Sequence, residues 1–411
     1  MEQTNSKAEA LLEQGMEYIE NDAVDRGLPY LKQAAELGHL EAQAMYLSTL
    51  LEQSNGKDYT KEIKKCVEWI RTAAIDGNPE GQAILGEMYS EGAGVPENQE
   101  TAVKWYRKAA LQGNADAQYY LGECYCFGKG VAENDAEAVK WFQKAAVQGD
   151  TYAQYYLGEY YYFGKGIAQN DAEAIKWFQK AANQEHAGAQ YYLGECYYLG
   201  RGVVQNDAKA VKWFQKAAEQ GNADAQTQLG HCYFYGNGVL KDERKAASFY
   251  QKAANQGHAR AQYLLGGCYQ FGQGIEKDFR KSIEWYKKSI DNGYYELDVY
   301  NSISFALLFI IWEMKKNGVS FQKIARSKEL AEGIQYAEYA INHFDCENEE
   351  DGDIYVTLAE LYRYKNLDRA LDYAEYAVAL GVEDADETLE ALRSINGTFG
   401  NIGRFLSGIF D

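Results

Sequence analysis

A Leu-Gly pair returns every 36 residues along the chain, at Leu85-Gly86, Leu121-Gly122, Leu157-Gly158, Leu193-Gly194, Leu229-Gly230 and Leu265-Gly266. A second ladder keeps the same step through Trp69, Trp105, Trp141, Trp177, Trp213, Phe249 and Trp285. A fixed period of this length marks one supersecondary unit copied in tandem. No single unit can bury its own apolar face, so neighbouring copies must stack into a solenoid. Such folds present surfaces more readily than they build catalytic pockets, so binding is the first functional expectation. The repeats themselves do not name the partner.

One copy, Asn134 to Gly166, reads as a helix hairpin. Asn134 followed by Glu137 has the spacing of a capping box, and Asn170 with Glu173 repeats it. Gly149 ends the first helix. On the second helix Ala153, Leu157, Tyr161 and Gly164 recur at three-to-four-residue intervals and mark the core-facing stripe. Gly164 and Gly166 supply the turn into the next copy. Small residues at fixed points (Ala145-Ala146, Ala181-Ala182, Ala217-Ala218 and the glycine after each leucine) allow close helix approach, with the Trp and Phe of each hairpin wedged between copies.

The pattern carried by Ala117, Leu121, Gly122, Tyr125, Gly128, Gly130, Val131, Ala138, Trp141 and Ala145-Ala146 resembles the Sel1-like repeat family, a relative of the tetratricopeptide repeats. That resemblance implies an all-α, right-handed superhelical solenoid of stacked helix hairpins that acts as a scaffold or adaptor. A divergent copy precedes the strong ones, with Tyr46 where Leu is expected. Two departures bear on packing: Glu185 replaces a helix-ending Gly, and Ser289-Ile290 replace the Ala pair in the last strong copy.

The period divides the chain into a capping helix (1–24), a repeat solenoid (25–293), degenerate acidic tetratricopeptide-like repeats (294–395) and an amphipathic tail (396–411). In the third segment the Tyr-Ala-Glu-Tyr-Ala string at Tyr336 to Ala340 returns at Tyr373 to Ala377. Tyr355, Leu358, Ala359, Tyr362, Ala370 and Ala377 resemble a tetratricopeptide motif. From Tyr294 onward there are 22 acids and 10 bases, a net of about −12 out of −20 for the chain. The run Asp345 to Asp353 is a solvated loop or, on the sharper reading, an acidic contact for a basic partner. In the tail Phe399, Ile402, Phe405, Leu406, Ile409 and Phe410 need cover, and folding back over the last repeat is favoured over docking elsewhere.

The start of the chain is polar and acidic, without the form of an export signal, which points to a cytoplasmic protein. The most apolar stretch, Ile303 to Trp312, is half of what a membrane span needs and reads as a buried helix. Cys124, Cys196, Cys232 and Cys268 share one column of the repeat, where a small apolar residue suits a core; Cys124 and Cys126 alone are a weak zinc signal. Gly-Lys-Gly at Gly128 and Gly164 lacks the Ser or Thr and the preceding strand of a phosphate loop. No set of His, Cys, Ser and Asp supports catalysis. The expectation is a non-enzyme without cofactor or metal. Acidity and the lack of a basic stripe disfavour nucleic acid.

On a helical wheel the arc opposite the buried one falls on positions 119, 123 and 126 and their repeats, which are expected to line a concave wall. The candidates are Tyr119, Glu123, Tyr155, Glu159, Tyr162, Tyr191, Glu195, Tyr198, His231, Phe234 and Tyr263. Tyrosines beside carboxylates suit a protein or peptide, basic or mixed in character. The plainer alternative is that the tyrosines only pack along the solenoid. A column of Gln82, Gln118, Gln154, Gln190, Gln226 and Gln262 fits a hydrogen bond to a neighbouring turn better than a ligand. The rival to a scaffold is an acidic inhibitor or immunity protein that neutralises a basic toxin or nuclease.

Overall fold

A computed structural model of the chain describes residues 2–53, 58–344, 346 and 352–395. The acidic run 345–353 therefore lies largely outside the described residues, and the tail 396–411 lies wholly outside them. The described residues contain helices and no strand, as the 3.6-residue periodicity requires. Two compact units, Met1–Gln205 and Asn206–Asp411, make up the chain.

The first unit holds α1 (Glu2–Glu20), α2 (Val24–Glu36), α3 (Leu40–Glu52), α4 (Thr60–Ile75), α5 (Pro79–Glu91), α6 (Gln99–Leu111), α7 (Ala115–Phe127), α8 (Asp135–Gln148), α9 (Thr151–Phe163), α10 (Asp171–Asn183) and α11 (Ala187–Leu199). The second holds α12 (Asp207–Glu219), α13 (Ala223–Tyr235), α14 (Glu243–Asn255), α15 (Ala259–Phe271), α16 (Phe279–Asp291), α17 (Leu297–Lys316), α18 (Phe321–Ala325), α19 (Lys328–His343), α20 (Asp353–Tyr362) and α21 (Leu367–Leu380). Residues 385–395 are helical as well.

Asparagine caps the first helices α6, α8, α10 and α12, and aspartate caps α14 and α16, but in α8 only half of the capping box forms. Asn134 Oδ1 accepts from the Glu137 amide at 3.1 Å. The Asn134 amide is already spent on the Tyr125 carbonyl of the preceding helix, 2.8 Å away. The Glu137 carboxylate turns instead to Lys140, and Glu173 turns to Lys176, each at 2.6 Å. Second helices are capped by Asn114, Asp150 and His186, the last through Nδ1.

In α8 and α10 the ring filling the gap between hairpins is the one after the tryptophan. Phe142 and Phe178 are fully buried, whereas Trp141 and Trp177 keep 8% and 9% exposure. A Cβ at Gly158 would sit 2.5 Å from the Phe178 ring, so the glycine of the Leu-Gly pair is a seat for that ring. The glutamine column runs as a buried ladder. Gln154 Nε2 donates to Ala146 O at 3.1 Å, and its Oε1 accepts from Gln184 Nε2 of the next copy at 2.9 Å.

Both departures from the repeat pattern are absorbed locally. Glu185 takes the left-handed conformation of the glycine it replaces, at φ 63°. Ser289 is buried, and its hydroxyl donates to Tyr286 O at 2.7 Å. The apolar stretch around Ile303 lies in α17, which at 20 residues and mean hydropathy 1.3 is long and apolar enough to cross a membrane by length and composition. Half of that window is buried, with Ile303, Leu307 and Ile311 in one core with Leu330, Ile334 and Leu358.

Candidate functional site

Within the first unit, α7, α9 and α11 are second helices with closely matching sequences. Tyr119, Glu123, Tyr155, Glu159, Tyr191, Glu195 and Tyr198 are each half-buried on them. Tyr119 lies among Tyr120, Phe142, Tyr152 and Tyr156, with ring centroids 5.3 to 6.2 Å apart. Tyr155 stacks on His186 at 4.4 Å. Burial holds the Glu159 carboxyl above its ordinary range even though the hydroxyls of Tyr155 and Tyr192 donate to it. The Glu123 and Glu159 carboxylates thus already have tyrosine partners inside the protein.

Tyr162 corrects the expectation of accessibility. Only 5% of it is exposed. The Arg201 guanidinium covers its ring at 3.7 Å from the centroid. Arg201 Nη2 is fixed there by the Tyr162 carbonyl at 3.0 Å and by Asp171 at 2.7 Å. In the second unit His231 stacks on Tyr235, Phe234 meets Tyr235 edge-on, and Tyr263 stacks on Tyr294 at 5.0 Å. These three are half-buried as well.

The most open edge of the second helices lies a step around the wheel. It comprises Asp116, Tyr120, Glu123 and Phe127 on α7; Tyr152, Tyr156, Glu159 and Phe163 on α9; and Gly188, Tyr192, Glu195 and Leu199 on α11. Phe127, Phe163 and Leu199 are 53%, 55% and 56% exposed. The glutamate column belongs to both arcs. The difference arises because a helix in a hairpin stack is covered on two sides, by its own partner and by the next copy, so the open side is not simply opposite the core. A sequence signal for this edge exists: a large apolar residue stands immediately before the helix-ending glycine at Phe127, Phe163 and Leu199.

Towards the start of the unit this edge turns acidic. Between α3 and α5 a groove of about 220 Å³ has Met45, Leu47, Ile84 and Met88 in its lining and Glu41, Glu87 and Glu91 beside them. Burial, then the charges of Glu91 and Asp116, push the Glu87 carboxyl up, while the Tyr120 hydroxyl moderates the shift.

The first helices carry a second exposed column. Lys108, Lys144 and Lys180 place their ammonium groups 3.9 to 4.0 Å from the ring centroids of Trp105, Trp141 and Trp177. One exposed lysine per copy therefore lies on the tryptophan ladder, a regular basic column where no basic stripe was expected. Cys66, Cys124, Cys126, Cys196, Cys232 and Cys268 are free thiols. Burial pushes Cys124 up to about 11 and Cys196 up to about 12. Among the described residues no group of three or more His, Cys, Asp and Glu is placed to hold a metal ion.

The Sel1 repeat model matches residues 11–39, 43–78, 79–114, 115–150, 151–186, 187–222, 223–258 and 259–294. The chain belongs to the Sel1 repeat family. Proteins of this family generally mediate protein–protein interactions, and their fold is typically a non-enzymatic binding scaffold. Among solved structures, the Sel1 repeat chain is similar to c5321, a protective antigen of uropathogenic Escherichia coli with an SLR fold. Identity is 27% over 96% of this chain and 90% of that one, with a TM-score of 0.61. A Sel1 repeat protein from Oxalobacter formigenes is 34% identical over 60% of this chain and 96% of its own, with a TM-score of 0.54. Immunity protein Pa5087 from Pseudomonas aeruginosa is 22% identical over 50% of this chain and 81% of its own; its TM-score of 0.34 carries no functional argument. No curated protein matches the chain.

Proposed function

We propose that this Sel1 repeat protein is a scaffold that holds a partner protein along the second-helix edge of its first unit. The observation that carries the reading is the row Phe127, Phe163 and Leu199, more than half exposed and repeated once per copy beside the glutamate column. Regularly spaced apolar groups on a rigid stack suit an extended partner segment, and large exposed rings are the side chains that become anchors in interfaces. The acidic groove at Glu41, Glu87 and Glu91 favours a segment that also carries Lys or Arg. The free thiols of Cys66, Cys124, Cys126, Cys196, Cys232 and Cys268 support a reducing, cytoplasmic setting.

The test is capture of the partner from source lysate, followed by titration against Phe127→Ala/Phe163→Ala. Binding is expected to weaken by about 2 kcal/mol or more while the melting temperature stays within a degree or two. Unchanged affinity would remove this edge from the interface. The same acidic groove supports the second reading, an inhibitor of a basic toxin or nuclease. Raising the salt from 50 to 500 mM should cost an apolar-anchored complex little and a charge-dominated one most of its affinity.

A further inference from the structure

The second unit contains a cavity of about 560 Å³, separate from the edge described above and within the size range of ligand sites. Val319, Phe321, Ile324, Tyr364, Leu367 and Ile395 give it a mainly apolar lining, and Lys315 and Lys365 add positive charge. Phe321 is 57% exposed and lies 5.4 Å from the Tyr364 ring. Tyr364 itself is 4% exposed, and its hydroxyl is buried without a hydrogen-bond partner.

Ile395, in the lining of the cavity, is the last described residue before the segment 396–411. Phe399, Ile402, Phe405, Leu406, Ile409 and Phe410 repeat along that segment at steps of mostly three or four. From Ile395 an extended chain brings Phe399 anywhere within about 14 Å. The short tether gives this segment a high local concentration that an outside peptide lacks. Asp411, its one acid, complements the two lysines.

We propose that residues 396–411 dock in this cavity, covering Phe321 and Leu367. Arg404, the one basic residue of the segment, makes the test specific. In the full chain, trypsin is expected to cut after Arg404 at least tenfold more slowly than in the free peptide 396–411. Phe321→Asp/Leu367→Asp should restore the peptide's rate without loss of helical circular dichroism. Should the double variant lose its helices, Phe321→Asp alone decides, because that ring is more than half exposed. Cutting of the wild-type chain at the peptide's rate overturns the proposal and leaves the cavity to an outside segment. Protection that survives Phe321→Asp in the folded chain overturns it too, by seating the segment elsewhere.

Discussion

The residue after each tryptophan sets the spacing of the stack. Phe142 is fully buried and lies against Gly122, where a Cβ would stand 2.7 Å from its ring. Phe142→Ala is expected to cost about 3 to 5 kcal/mol in denaturant titration. Trp141 keeps one face under Lys144 and should tolerate truncation better. A larger loss at Trp141 than at Phe142 would reverse this assignment. The two rings are neighbours in sequence and similar in chemistry, so helical periodicity marks both as core-facing without ranking them. The ranking comes from the glycine seat, which is visible only across two hairpins.

At the scale of the hairpin, the glutamine ladder joins elements that apolar contact alone would let slide. Gln154 ties α9 to the end of α8 and receives Gln184 from the end of α10. Gln118 does the same with Ala110 and Gln148, at 3.0 and 2.8 Å. Gln154→Ala removes both contacts and is expected to cost about 1 to 3 kcal/mol, read as a fall in the denaturation midpoint. A cost below about 0.5 kcal/mol would make the ladder incidental. The column was legible in the sequence as a hydrogen-bonding row; its double role, within one copy and between copies, was not. The capping box shows the opposite case. The Asn–Glu spacing was clear, but the Asn134 amide belongs to Tyr125 of the preceding helix, and that competition is settled by the turn between helices.

For the whole molecule, charge is the property that a change of pH reaches. The chain carries a formal −20, and Glu87 and Glu159 are half-buried with their carboxyls held above the usual range. A carboxyl with a raised folded-state value binds its proton more readily when folded than when unfolded. Its penalty is therefore present at neutral pH and relieved as pH falls through the folded value towards the unfolded one. The wild-type chain is expected to gain thermal stability relative to Glu87→Gln/Glu159→Gln as pH falls from neutral towards the ordinary carboxylate range; the buried imidazoles of His186 and His231, held below their ordinary range, act in the opposite sense but are common to both proteins. A difference between the two proteins that stays constant with pH would contradict it.

The sequence by itself determined the period, the helical class, the family and the columns of Leu-Gly, Gln, Glu and aromatic residues, because each depends on spacing along one chain. The tertiary structure decided which columns meet solvent. Tyr162 and Phe163 are adjacent aromatics at the end of α9; Arg201, 39 positions on, covers the first and leaves the second open. A helical wheel assigns one buried arc per helix, whereas a stacked hairpin buries its helix from two directions at once. The width and tilt of the remaining edge follow from the neighbour's side chains, and no single copy of the repeat contains them.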